Sequence, residues 1–124
     1  MERIIKFKAK SIIRDNWLYG SLVKSPSGTY IEWYEDSICN REEVNPSTVC
    51  QYTGLKDENG EEVWEHDILD SPLLRGEVVF YKGCYHVKKD NGPSFSFSTL
   101  FMIDSKMCTC REVGNKFDRK EGRK

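Results

Sequence analysis

An all-β fold follows from three features of the sequence. Ile5 to Lys10 alternates with strict period two, placing Ile5, Phe7 and Ala9 on one side and Lys6, Lys8 and Lys10 on the other, the pattern of a half-buried strand. Turn-forming clusters recur between short runs rich in aromatic and β-branched residues. Asn59-Gly60 sits between Leu55 and the pair Val63, Trp64, a strong hairpin signal.

Taken in order, Ile5 to Lys10 is the first strand. Arg14-Asp15-Asn16 turns the chain into Trp17 to Val23, a second strand antiparallel to the first, in which Gly20 marks a bulge or a close approach. Ser25-Pro26-Ser27-Gly28 leads to a third strand over Thr29 to Tyr34, completing a three-stranded meander. Glu35 to Ser47 is acidic and polar and contains Pro46, so it reads as a loop with one helical turn and as the boundary between two halves. Thr48 to Tyr52 is β-prone. Asn59-Gly60 then predicts a type I′ turn, because both central residues of that turn need positive φ.

Asp67 to Leu69 lead to a loop at Pro72 to Gly76. Glu77 to Tyr81 is strongly apolar and predicts a central strand, turned by Lys82-Gly83 into Cys84 to Lys88. Asn91-Gly92-Pro93 breaks the chain. Phe95 and Phe97 alternate with serines, and Leu100 to Met102 fits either a helical turn or a strand end. Met107 to Val113 is β-compatible and is closed by Gly114. Lys116 to Lys124 holds five basic residues and predicts fraying.

At 124 residues, with 31% charged and 38% hydrophobic residues, the chain can bury a core without staples. Net charge is −1 but unevenly spread. Residues 32 to 67 carry eleven acidic and two basic side chains, against six basic and two acidic in residues 1 to 31. This balance disfavours strong nonspecific binding of nucleic acid. No apolar run reaches signal-peptide or membrane-spanning length, so no membrane association is expected, and the odd count of five cysteines predicts reduced thiols in a cytoplasm.

Three segments, IIKFKAKSIIRDNWLYGSLV near the start, TVCQYTGLKDENGEEVWEHDI in the centre and EVGN near the end, resemble the YopX family of phage and prophage proteins. The resemblance implies an all-β protein whose second half is an SH3-like small barrel, an origin in a phage or mobile element, action in the cytoplasm of a bacterial cell, and no catalytic residues. On it we expect an N-terminal β region over 1–50 packed on a barrel over 51–117, with a basic tail over 118–124. The structural signature it points to is Tyr52, Gly54, Leu55, Asp57, Asn59, Gly60 and Asp67. His66 stands where the family commonly has Gly, so a positive φ there would strain this chain.

Cys84, His86, Cys108 and Cys110 supply the number of ligands a zinc site needs. The C-x-C spacing suits it poorly, because residues two apart in a strand lie about 7 Å from each other rather than wrapping a metal. Thiols packed as small apolar groups are therefore the expectation for these and for Cys39 and Cys50, with no metal and no cofactor. The only two histidines, His66 and His86, lie in no nucleophile motif, and the carboxylates of the central hairpin read as a solvated rim. No enzyme activity is expected. A carboxylate at Asp67, by the base of the hairpin, can accept backbone N–H bonds from an adjoining turn.

Aromatic residues are abundant for a core of this size. Trp33, Tyr34, Tyr52, Trp64 and Tyr85 are the expected binding residues, for a protein partner or a second copy of the chain, against the other reading that such rings pack the core or a subunit interface. The alternative is a nucleic-acid-binding barrel using Lys6, Lys8, Lys10 and the basic tail.

Overall fold

The computed structural model describes residues 4–70, 75–89, 94–96 and 111–118. The described residues form eleven strands: β1 Phe7–Lys10, β2 Trp17–Ser25, β3 Gly28–Glu35, β4 Ile38–Glu43, β5 Cys50–Lys56, β6 Glu62–Trp64, β7 Asp67–Asp70, β8 Arg75–Tyr81, β9 Cys84–Lys89, β10 Ser94–Ser96 and β11 Arg111–Asn115, with a 3-10 turn at Pro46–Thr48. The chain divides into two compact units between Tyr52 and Thr53.

In the first unit, β4, β3, β2, β1 and the start of β5 lie side by side in that order. All their pairings are antiparallel. Ala9, Leu18, Ile31 and Val44 form the core on one face, with Phe7, Leu22, Trp33 and Val49 packed against them. The chain also closes on itself at one end: Ser11 bridges to Val44, and Ile12 N donates to Glu43 O. Gly20 is needed because a Cβ at that position would run into the carbonyl of Glu32.

The meander has four strands, not three. The segment read as an acidic loop contains β4, reached through a two-residue turn in which Asp36 and Ser37 have φ of 51° and 66°. Two positive φ angles make the twist of the turn match that of the strands, and Asp is among the side chains that tolerate them. Two charged residues of β4 are paired, Glu42 with Arg14 and Arg41 with Glu32 of β3, while Glu43 is exposed. Pro46 sits at the start of the 3-10 turn, where its missing N–H costs nothing, and Asn45 caps it by accepting from Ser47 N.

In the second unit, the later part of β5 and β6 form a hairpin, and β10, β9, β8, β7 and β11 form a sheet with β8 at its centre. Val63, Leu69, Val78 and Val87 are its buried core, with Leu55 and Tyr85 packed on them. β8 turns into β9 through Lys82 and Gly83, both at positive φ. β8 begins at Arg75, so Arg75 and Gly76 belong to a strand, paired with Asp70 and Leu69, instead of to the expected loop. Gly114 lies inside β11 at a register shift. Lys116, Phe117 and Asp118 are tied back through Lys116 N to His66 O and Phe117 N to Asn115 Oδ1, so the start of the tail is ordered. The chain break expected at Asn91-Gly92-Pro93, together with Phe97, Leu100 to Met102, Cys108, Cys110 and residues 119–124, lies outside the described residues.

The central hairpin is present, with a turn of another type. Asn59 keeps a negative φ and only Gly60, at 84°, is positive. Gly60 N donates to Asp57 O and Asp57 N to Glu61 O, which makes a three-residue loop ending in a left-handed glycine instead of a two-residue type I′ turn.

Candidate functional site: an aromatic and cationic sheet face

The register of the first sheet sorts its side chains. Residues directly opposite one another share a face. Lys8 lies opposite Tyr19 and Lys10 opposite Trp17; Ser21 lies opposite Glu32, which faces Arg41; and Tyr34 faces Cys39. The face turned away from the Ala9–Val44 core therefore carries Trp17, Tyr19, Tyr30 and Tyr34 interleaved with the lysines of β1 and Arg41 of β4.

The cations sit over rings. Lys8 Nζ lies 4.3 Å from the centre of the Trp17 ring and 6.0 Å from that of Tyr19, Lys10 Nζ 4.9 Å from Trp17, and Lys6 Nζ 4.9 Å from Tyr52. The Arg41 guanidinium lies 5.3 Å from the Tyr30 ring while Arg41 Nη2 reaches Glu32 at 3.0 Å. Lys8 and Lys10 are consequently 7% and 6% exposed, so the lysine side of β1 is covered instead of solvated. Each such contact contributes about 0.5–1 kcal/mol at a surface, and the apolar stems of the lysines add packing. Period-two alternation showed these lysines on one side of β1 but held no information on what covers that side.

Tyr34 is the most exposed aromatic of this set, at 70%. Its hydrogen bond with Cys39, with Cys39 and Glu32 close by, holds its phenol above the ordinary range. Tyr19 is also exposed, as is Ile38 at the start of β4, at 64%. Trp33, the other residue expected here, is half-buried against the core on the opposite face of β3.

The remaining expected binding residues are placed differently. Tyr52 and Trp64 are 4% and 5% exposed, so neither offers a ring face to a partner, and their aromatic bulk serves packing. Tyr85 is half-buried on the second core, with the ring of Phe80 edge-on at 5.1 Å.

The signature residues of the central segment build a backbone-binding network. Asp57 is fully buried; its Oδ1 accepts from Asn59 N and Glu61 N at 2.8 and 2.9 Å and its Oδ2 from Glu112 N at 2.7 Å. Asp67 is buried too, accepting from Trp64 N at 2.7 Å and from Asn115 Nδ2 at 2.8 Å. Gly54 and Gly60 both have positive φ, and Leu55 packs on the core. His66 has φ 70°, held by His66 N donating to Val78 O, by Nδ1 at 2.7 Å from Glu77 Oε2 and by the ring of Phe117 edge-on at 5.2 Å.

Cys84 Sγ lies 3.3 Å from His86 Nε2, with the Tyr81 ring edge-on to the imidazole at 5.6 Å. Their i, i+2 spacing on one strand puts them on the same face. Among the described residues, no group of three or more potential metal ligands comes together. Cys39 is exposed, and Cys50 is buried with its Sγ donating to Thr48 O. No helix among the described residues is long and apolar enough to cross a membrane.

The chain is similar to the crystal structure of protein EF1440 from Enterococcus faecalis, at 20% identity over 92% of this chain and 94% of that one, with a TM-score of 0.43. Comparison with curated proteins gives no match. A family model described as YopX protein matches residues 6–120. That span takes in both units, both core clusters, the aromatic sheet face and the Asp57 and Asp67 networks, and the chain accordingly belongs to the YopX family.

Proposed function

We propose that the chain is a non-catalytic interaction protein of a phage or mobile element that acts in the bacterial cytoplasm and binds a protein partner through the aromatic face of its first sheet. The observation that carries this reading is the pairing of exposure with rigidity. Tyr19 and Tyr34 are exposed. The neighbouring rings of Trp17 and Tyr30 are fixed beneath cations, and β3 and β4 hold the backbone. Rigid aromatic side chains lose little entropy on binding and are enriched where proteins meet.

The nucleic-acid alternative draws less support. Its β1 lysines are covered by rings and buried, so they are poorly placed to reach phosphates. The exposed charge around Tyr34 comes from Glu35 and Asp36.

The test is affinity capture from bacterial lysate, with and without nuclease, using the wild type and a Tyr19→Ser, Tyr34→Ser double variant. The reading expects a protein captured by the wild type, insensitive to nuclease, and lost from a variant whose melting temperature is unchanged. Equal capture by the variant, or capture abolished by nuclease, overturns it.

A further inference from the structure

β4 is the outer strand of the first sheet, and its pairing determines which backbone groups point outward. Val44 N donates inward to Thr29 O, and Glu43 O accepts from Ile12 N on the outer side. Backbone groups along a strand alternate in direction, so Cys39 and Arg41, in phase with Glu43, turn their N–H and C=O away from β3. Among the described residues the outer side of β4 is met at Glu43, and the stretch Ile38 to Arg41 remains an open edge. Natural sheets blunt such edges unless they are used.

The surroundings of the edge have a definite chemistry. Ile38 and Tyr34 give it exposed apolar and aromatic surface. Arg41 is engaged with Glu32 and Tyr30, and Glu42 with Arg14 and Ser11. Glu35, Asp36 and Glu43 are exposed beside it, so the excess charge along the edge is negative. A second copy would bring the same carboxylates against their counterparts, whereas a basic strand would complement them.

Building on the interaction role proposed above, we infer that Ile38–Glu43 accepts an extended, lysine- or arginine-bearing segment of a partner protein as an added antiparallel strand. Main-chain hydrogen bonds to Cys39 and Arg41 supply the affinity common to any extended segment. One row of guest side chains lies beside Ile38 and Asn40 and the alternate row beside Cys39 and Arg41, with basic residues reaching Glu35, Asp36 or Glu43.

The test uses the full chain labelled with nitrogen-15 and a capped eight-residue peptide alternating lysine with valine or threonine, at concentrations on the order of millimolar because so short a strand binds weakly. Amide hydrogen exchange is read residue by residue. The inference expects the Cys39 and Arg41 amides to slow by about tenfold or more, as occurs when an open amide enters a ladder. The effect should vanish with a peptide N-methylated at alternate residues and with one carrying glutamate for lysine. A Glu35→Lys, Glu43→Lys chain should reverse the peptide preference. Unprotected Cys39 and Arg41 amides with the basic peptide, or equal protection by the acidic one, overturn the inference. If the captured partner is lost on the Tyr19, Tyr34 double variant yet leaves those two amides unprotected, the edge mode falls and the broader interaction role stands. If capture also survives the double variant, both fall.

Discussion

Asp57 shows how much structure one carboxylate can hold. It accepts three backbone N–H bonds while fully buried, two from its own loop and one from Glu112, 55 residues away. Asp57→Ala leaves three donors without their partner, and the expected cost is about 3 kcal/mol, or roughly 10 °C in melting temperature. Calorimetry with a loss below about 1 kcal/mol would contradict this assignment. The signature named Asp57 without assigning it bonds; two of its donors lie within four residues, whereas nothing in the sequence near Asp57 names the third, Glu112. Asp67 divides the same way, with Trp64 three residues off and Asn115 far along the chain.

His66 tests strain against contacts. At φ 70° a Cβ is disfavoured, but the imidazole is held by Glu77 and Phe117. His66→Ala keeps the strain and removes both contacts, whereas His66→Gly removes the strain as well. The glycine variant should therefore melt above the alanine variant, by an amount equivalent to about 1 kcal/mol. The reverse order would show that backbone strain at this corner is negligible.

At the scale of elements, β4 is the clearest case of a strand hidden from sequence reading. Its turn has no glycine, its residues are acidic, and its stability comes from partners on β3 and on the segment after β1, all of which become visible only in three dimensions. The turn at Asn59-Gly60 was misread for a related reason: a residue pair suited to a type I′ turn also suits a three-residue loop with Gly60 in the left-handed region, and the buried carboxylate of Asp57 favours the second. By contrast β1, β2, β3 and β8 were readable as strands, because alternation or aromatic and β-branched content marks extended chain whichever side is covered.

The closure between β4 and the end of β1 yields a pH prediction. The hydrogen bonds from Arg14 and Ser11 hold the Glu42 carboxyl below its ordinary range. A folded value below the unfolded one means that the unfolded chain takes up the proton first. The stabilisation is thus fully present at neutral pH and is lost as pH falls through and below the ordinary glutamate range. Arg14→Ala removes the larger cause. Urea midpoints measured near about pH 7 and about pH 3.5 should fall less for this variant than for the wild type; equal falls would show that Arg14 does not stabilise the charged form.

For the whole molecule, the two units each have their own buried cluster, one around Ala9, Leu18, Ile31 and Val44 and the other around Val63, Leu69, Val78 and Val87. The overall class was legible from alternation and turn chemistry, whereas the acidic segment read as a boundary holds β4 within the first unit, and the chain divides between Tyr52 and Thr53. What a single sequence could not show was where its surplus aromatics go. Tyr52 and Trp64 pack inside, while Tyr19 and Tyr34 face out, and residue type alone does not separate the two fates. The β1 lysines carry the same lesson for charge: Lys8 and Lys10, on one side of a strand, need not be available to an anion when tyrosine and tryptophan rings cover them.

The most direct test of the binding account is hydrogen–deuterium exchange of the free chain against the chain in complex with its captured partner, mapped by peptide. Protection gained across β2 to β4, from Trp17 to Glu43, with the hairpin over Asp57 to Trp64 unchanged, is the result expected. Protection confined to residues beyond Thr53, with β2 to β4 exchanging as in the free chain, would contradict it.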